Sequence, residues 1–264
     1  MTKFARMLDV LDLYSENVTL LTAEEVAVLL QVSRPTAFRY MRELSDAGFL
    51  ANFGGRYSLG ARIITLDYRI RASDPVLKEA TAVMRELCAE TACGAILCRI
   101  YNSEIVNVHH ESGYDDAPLS FFGRGRPLPL FRGSASKVML AFLPPARLRR
   151  IYDAHKDNPD VRAIATDWPG FRAYYAAIRQ RGHYLSNQEV DGGTVGLAAP
   201  IKVPNAGPLG VVSLVFSEQR LGLVNTDGLA AMLEARMREL ADRLKPLVEG
   251  ERGAGQGDGS GGPD

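Results

Sequence analysis

Apolar residues at the start of the chain recur at intervals of three and four. Phe4, Met7, Leu8, Leu11 and Tyr14 predict a helix over 4–15 with one buried stripe. A second short helix begins at Thr22, a natural N-cap. Glu24 and Glu25 fall in its first turn, where the helix dipole favours anions, and Val26, Leu29 and Leu30 give its apolar face. After Gln31-Val32, Ser33 caps a third helix with Pro35 in the first turn. Ala37, Tyr40, Met41 and Leu44 form its stripe, and Gly48 ends it. Two short apolar runs between Phe49 and Leu59 flank Gly54-Gly55, which suits the positive φ angles of a hairpin turn. Three helices, the last two joined tightly, followed by a hairpin predict a winged helix-turn-helix over 1–60.

Ile63, Leu66 and Ile70 continue as one face of a linker helix over 61–75, which Asp74-Pro75 closes. Beyond it the pattern alternates. A helix over 76–91 precedes short β-type runs over 94–100 and 105–109, then a loop rich in Gly, Pro and Arg over 113–129. Helices are expected over 134–143, 145–155 and 169–180, strands over 184–190, 195–203 and 210–216, and a closing helix from Asp227 to about Val248. This order predicts an α+β domain over 76–248 with a core of its own. Seven glycines in the sixteen residues 249–264 predict a disordered tail.

Composition narrows the class. Apolar residues make up 46% and charged residues 23%, as in globular proteins, and no apolar run is long enough to span a bilayer. The N-terminus carries no signal-like apolar core, and Cys88, Cys93 and Cys98 form no CxxC, which fits reduced thiols in a cytoplasm. Thirty-one basic residues balance thirty-one acidic ones, so only local clustering bears on nucleic acid.

Such a cluster lies on the third helix. With Ala37, Tyr40, Met41 and Leu44 inward, Arg34, Pro35, Thr36, Phe38, Arg39 and Arg42 are left outward or flanking, alongside the caps Thr22 and Ser33. No acid follows in that helix before Glu43. The second helix of a helix-turn-helix enters the major groove, and arginine offers paired donors to guanine and phosphate. Arg56 at the hairpin tip is placed for a neighbouring phosphate or the minor groove. A protein-interaction module with an ordinary solvated face is the alternative.

Ser134-Ala135-Ser136-Lys137 matches SxxK, the start of a serine acyl-transfer site, but neither SDN nor KTG follows. A helix N-terminus lined by small hydroxyl residues and suited to an anion explains it as well. Adjacent His109 and His110 point to opposite faces of a strand and cannot share a metal. No metal site and no redox or nucleotide cofactor is indicated. Arg124, Arg126 and Arg132 are either partners for a carboxylate ligand or a solvated loop face. Two function classes stay open: a ligand-responsive DNA-binding regulator, and a small-molecule-processing serine acyl-transfer enzyme with an appended winged-helix module.

Met7-Leu8-Asp9-Val10-Leu11, Ser33 through Met41, and Leu44 through Gly48-Phe49-Leu50 resemble the DNA-binding domain of IclR-type transcriptional regulators. Arg126 through Val138, Ile178 through Tyr184, Glu189 through Ile201 and Gly210 through Phe216 resemble segments of that family's second domain, so the resemblance covers about 4–248. It implies a GAF-like effector domain; one short recognition helix makes too few base contacts for strong discrimination, so a two-fold dimer on a pseudopalindromic double-stranded DNA operator is expected. The resemblance also implies dimers pairing into tetramers, and a small-molecule signal, often an aromatic or aliphatic carboxylate. Many members have His-Ala where this chain has Phe131-Arg132, and a polar residue of some pockets corresponds to Gly196 or its neighbours. The pocket is expected at Ser134, Ala135 and Ser136, whose hydroxyls and main-chain N–H groups begin a helix. Ser186 and Asn187 form a second wall by resemblance. Either Ser213 with Val215 or Leu214 with Phe216 forms a third. Phe121, Phe122 and Phe131 offer rings for an aromatic ligand, although core packing explains phenylalanines more often than not.

Overall fold

The computed structural model describes residues 3–102, 104–113, 123–204 and 207–254. It divides into two compact units, Met1–Asp74 and Pro75–Asp264. The first contains α1 (Lys3–Leu8), a 3-10 turn (Leu11–Leu13), β1 (Leu21–Thr22), α2 (Ala23–Leu29) and α3 (Arg34–Asp46). It continues with β2 (Leu50–Phe53), β3 (Arg56–Leu59) and α4 (Arg62–Ser73). The single helix expected over 4–15 is thus two pieces. Val10, which lies off the three-four stripe, is fully buried. The chain tightens to reach it through i→i−3 hydrogen bonds from Val10 N to Met7 O and from Leu13 N to Val10 O, each 3.3 Å.

Val10 joins Leu21, Val26, Ala37, Tyr40, Met41, Leu44, Leu50 and Tyr57 in one core, so the stripe read for α3 is its buried face. The wing has a third strand that the sequence pattern hides. β1 pairs with β3 through Leu21 with Tyr57 and Thr22 with Arg56, giving the antiparallel order β1-β3-β2. Gly54 and Gly55 turn the hairpin at φ +62° and +90°, angles that disfavour any residue with a Cβ. α4 buries none of its residues, and its first arginine ties back: Arg62 Nη1 donates to Ala47 O at 2.8 Å, with its guanidinium over Phe49.

The second unit is a six-stranded antiparallel sheet between helical layers. Its elements are α5 (Pro75–Thr91), β4 (Gly94–Tyr101), β5 (Glu104–Glu111), β6 (Pro127–Leu128), α6 (Ser134–Ala141), α7 (Pro145–His155) and α8 (Pro159–Ile164). α9 (Trp168–Arg181), β7 (Tyr184–Asn187), β8 (Thr194–Lys202), β9 (Pro208–Ser217) and α10 (Thr226–Ala254) follow. The strand order is β6-β5-β4-β9-β8-β7. Side chains alternate between two cores. Ala95, Leu97, Val195, Leu197, Val212, Leu214 and Phe216 pack with α5 and α10, whereas Ile96, Cys98, Ala198, Val211 and Val215 pack with α6 to α9.

Three expectations change here. α8 was not anticipated, although Asn158-Pro159 is a cap followed by a first-turn proline; Asn158 Oδ1 accepts from Asp160 N at 2.8 Å. The strand expected over 184–190 stops at Asn187, because Gln188 takes φ +54° and turns the chain out of the sheet. α10 continues past Val248 to Ala254, into the expected tail, since each residue added to a formed helix gains a hydrogen bond. The remaining tail, 255–264, and Phe121 and Phe122 lie outside the described residues. All three cysteines are buried and none forms a disulfide; burial pushes the Cys88 thiol up to about 11 and that of Cys98 further, so neither is a nucleophile at neutral pH. Among the described residues no helix is long and apolar enough to cross a membrane.

Candidate DNA-reading face and effector pocket

Local capping holds the helix-turn-helix. Thr22 N donates to Glu25 Oε2 at 2.7 Å and Glu25 N to Thr22 Oγ1 at 3.3 Å, a reciprocal pair that fixes the start of α2. The Thr22 backbone N–H, aided by its hydroxyl, holds the Glu25 carboxyl below the usual range. Gln31 at φ +51° makes the turn, and Ser33 Oγ accepts from Thr36 N at 3.4 Å to start α3. Thr36 is half-buried and shares a 2.8 Å hydroxyl contact with Ser33. Thr22 and Ser33 thus act first as caps.

Arg34, Pro35, Phe38, Arg39 and Arg42 are exposed on α3, Phe38 at 52%. Arg56 is exposed at the start of β3. Glu24, Arg34, Pro35, Phe38, Gly55 and Tyr57 line a cleft between α3 and the wing. The expectation of an unopposed positive cluster needs correcting. Arg34 pairs with Glu24 of α2, Arg39 with Glu43 at 3.8 Å, and Arg42 with Asp46 at 3.7 Å. These ion pairs are solvent-exposed and worth roughly 0–1 kcal/mol each, little enough for phosphates to replace the carboxylates.

In the second unit a cavity of about 30 Å³ sits at the N-terminus of α6. Ser134, Ala135, Ser136, Ser186, Gly196, Ser213 and Val215, all singled out in the sequence, line it together with Ile96, Gly133, Glu189, Val190 and Thr194. Gly133 precedes the helix at φ +84°, and the first-turn amides of Ala135 and Ser136 have no helical carbonyl behind them. Ser134 Oγ meets Ser213 Oγ at 2.9 Å, and Ser134 N donates to Ser186 Oγ at 3.1 Å. Gly196 is needed for this packing, because a Cβ there would lie 2.5 Å from Ser134 Oγ. Ser136 is 1% exposed, and its Oγ has no hydrogen-bond partner.

The β9 register places Ser213 and Val215 on the α6 side, whereas Leu214 and Phe216 belong to the opposite core. Asn187 is exposed beyond Ser186 and lines nothing here, since neighbouring strand residues face opposite ways. Phe131 is buried in an aromatic cluster, its ring 6.2 Å from Phe171 and 5.5 Å from His155, and does not face the cavity. Arg132 lines the rim but pairs with Asp160 at 3.2 Å, and Arg124 Nε donates to Val108 O at 2.6 Å.

Three polar groups beside the cavity join in a way the sequence pattern does not show. Lys137, nearly buried, places Nζ 2.7 Å from Glu189 Oε2 and 3.1 Å from the Tyr184 hydroxyl. The Tyr184 hydroxyl donates to Glu189 Oε1 at 2.8 Å. Burial, reinforced by hydrogen bonds with Tyr174 and Glu189, pushes the Tyr184 phenol up, so it stays a donor. The lysine of SxxK is therefore committed to Glu189 and Tyr184, and the Ser134 hydroxyl to Ser213. Among the described residues no group of three His, Cys, Asp or Glu is placed to hold a metal.

Comparison with known proteins agrees with both halves. Residues 5–52 match the IclR helix-turn-helix domain, and 70–242 match the bacterial transcriptional regulator IclR C-terminal domain. The HTH-type transcriptional regulator XynR of Escherichia coli is 23% identical over 198 residues, covering 74% of this chain and 78% of that protein. An IclR family transcriptional regulator from Brucella abortus superposes with a TM-score of 0.73 at 20% identity, covering 94% of this chain and 92% of that one. An IclR homologue from Microbacterium hydrocarbonoxydans, crystallised with 4-hydroxybenzoate, gives 0.69 at 18% identity, covering 93% and 100%. A winged helix-turn-helix, a six-stranded effector domain and these matches over both place the chain in the IclR family of DNA-binding transcriptional regulators.

Proposed function

We propose that the protein binds a pseudopalindromic operator as a two-fold dimer, and that a small carboxylate in the cavity at the N-terminus of α6 sets its affinity for DNA. The observation that carries the effector half is the cavity itself. It joins first-turn amides and four serines, one of them with an unpartnered hydroxyl, in one buried place, a donor set suited to an anion. The Microbacterium homologue's aromatic carboxylate favours the same ligand class. On α3, Arg34, Phe38 and Arg39 are the candidates for base edges and Arg42 for a phosphate, with Arg56 of β3 for an adjacent phosphate or the minor groove. One short helix gives few base contacts, so discrimination calls for two half-sites and a dimer, with dimers pairing further as the family resemblance implies. The ligand acts only if it prefers one arrangement of the two DNA-binding domains in the dimer.

Calorimetry with 4-hydroxybenzoate, benzoate and a panel of short aliphatic carboxylates tests the site. At least one should release binding heat, and Ser134→Leu, which fills the cavity, should abolish it. Equal affinity of Ser134→Leu and the parent would place the ligand elsewhere.

A further inference from the structure

One wall of the cavity already carries a carboxylate of the chain. Glu189 Oε2 accepts from Gly133 N at 2.9 Å and from Lys137 Nζ at 2.7 Å, while Oε1 accepts from the Tyr184 hydroxyl at 2.8 Å. These donors come from the residue before α6, from α6 and from β7. They converge on a side chain that none of those elements carries. Glu189 stands instead on the connection 188–193, between Gln188 at φ +54° and Gly193 at φ +82°. Its neighbour Val190 lines the cavity, with Cγ2 only 2.6 Å from where a Cβ on Gly133 would be.

The remaining space, about 30 Å³, has room for little more than a water, whereas sites for drug-sized ligands measure roughly 300 Å³ or more. An anion entering beside Glu189 would also meet its negative charge at close range. Both obstacles vanish if the 188–193 connection swings out. The geometry points to Glu189 as a placeholder anion, which holds Gly133 N, Lys137 and Tyr184 until an effector carboxylate takes its place and lifts the 188–193 connection. This inference rests on the carboxylate reading of the cavity and adds how the site is kept closed. It also explains why Ser136 Oγ is left unpartnered: the placeholder satisfies the cationic end of the site and does not reach the serine end.

The test is calorimetry with benzoate, and with benzamide as its neutral counterpart, on the parent, Glu189→Gln and Glu189→Asp. Glutamine keeps the shape and removes the charge, so benzoate should bind Glu189→Gln tenfold or more tightly than the parent, with benzamide changing far less. Aspartate keeps the charge but is too short for the Gly133 contact, so its gain should be smaller. Amide exchange in the unliganded protein should speed up across 188–193 in Glu189→Gln, with the rest of β7 and β8 still protected. Benzoate binding by the parent with no gain, or a loss, in both variants would overturn the placeholder and leave the carboxylate effector standing. Binding by Glu189→Gln alone would support the placeholder and count against a carboxylate as the parent's effector. Binding of no carboxylate of the panel, benzoate included, to any of the three would overturn both.

Discussion

Replacing Arg39 or Arg34 with alanine is expected to weaken operator binding by about 1–3 kcal/mol each if the guanidinium reaches a base edge, roughly 5- to 150-fold. Both stand on the exposed face of α3, and the N-terminal part of a recognition helix is the part that meets bases. Their acidic partners, Glu24 and Glu43, are exposed, so removing the ion pairs should cost little stability and both variants should melt with the parent. Salt titration separates the two roles. If the arginine holds a phosphate, its removal should flatten the slope of log K against log salt by about one and weaken all sequences alike. If it reads a base, its removal should leave the slope closer to the parent's and relax the preference at one position. Arg42 lies nearer the C-terminal end of α3 and should behave as a phosphate-holding residue. Unchanged retardation of the operator by both Arg34→Ala and Arg39→Ala would remove α3 as the reading element.

A second large effect is expected far from any ligand. Phe171 is fully buried, with ring centroids of Tyr175 at 4.8 Å, Tyr152 at 5.0 Å, Phe131 at 6.2 Å and Trp168 at 6.3 Å around it. Phe171→Ala should destabilise the effector domain by about 3–5 kcal/mol, through the forfeited burial and the cavity left behind. For a domain of this size that lowers Tm by roughly 6–20 °C. Trp168, the single tryptophan of the chain, sits in the cluster and reports the transition by its fluorescence. A cost under about 1 kcal/mol would mean that the surrounding rings collapse to fill the space and that Phe171 does not organise the layer on which α6 rests.

The helix-turn-helix was legible because its signals are local. Thr22, Ser33 and Pro35 mark helix starts, Gly54-Gly55 marks the turn, and the stripe Ala37, Tyr40, Met41, Leu44 is the buried face observed. What pairs with Arg34 was less so, because Glu24 belongs to a different helix. The β9 register was undecidable for a physical reason. A strand covered on both faces is apolar throughout, and alternation carries no sign. Only Ser213 breaks the run, and its partner Ser134 lies 79 residues away in sequence. Glu189 and Lys137 were hidden for the same cause. Their pairing exists only once β7 and its connection are laid against α6, and Lys137 in isolation reads as half of an SxxK motif. Val190 looked like the end of a strand, whereas the left-handed turn at Gln188 takes it out of the strand and into the cavity lining.

Occupancy of the α6 cavity is proposed to change affinity for a specific operator. Duplexes selected by the protein from genomic fragments, labelled and titrated by fluorescence anisotropy with and without a saturating carboxylate from the calorimetry panel, test it directly. Two symmetric half-sites and a change in affinity of about 5- to 150-fold, absent in Ser134→Leu, are expected. Retention of all duplexes alike, or one affinity at every ligand concentration, would contradict it.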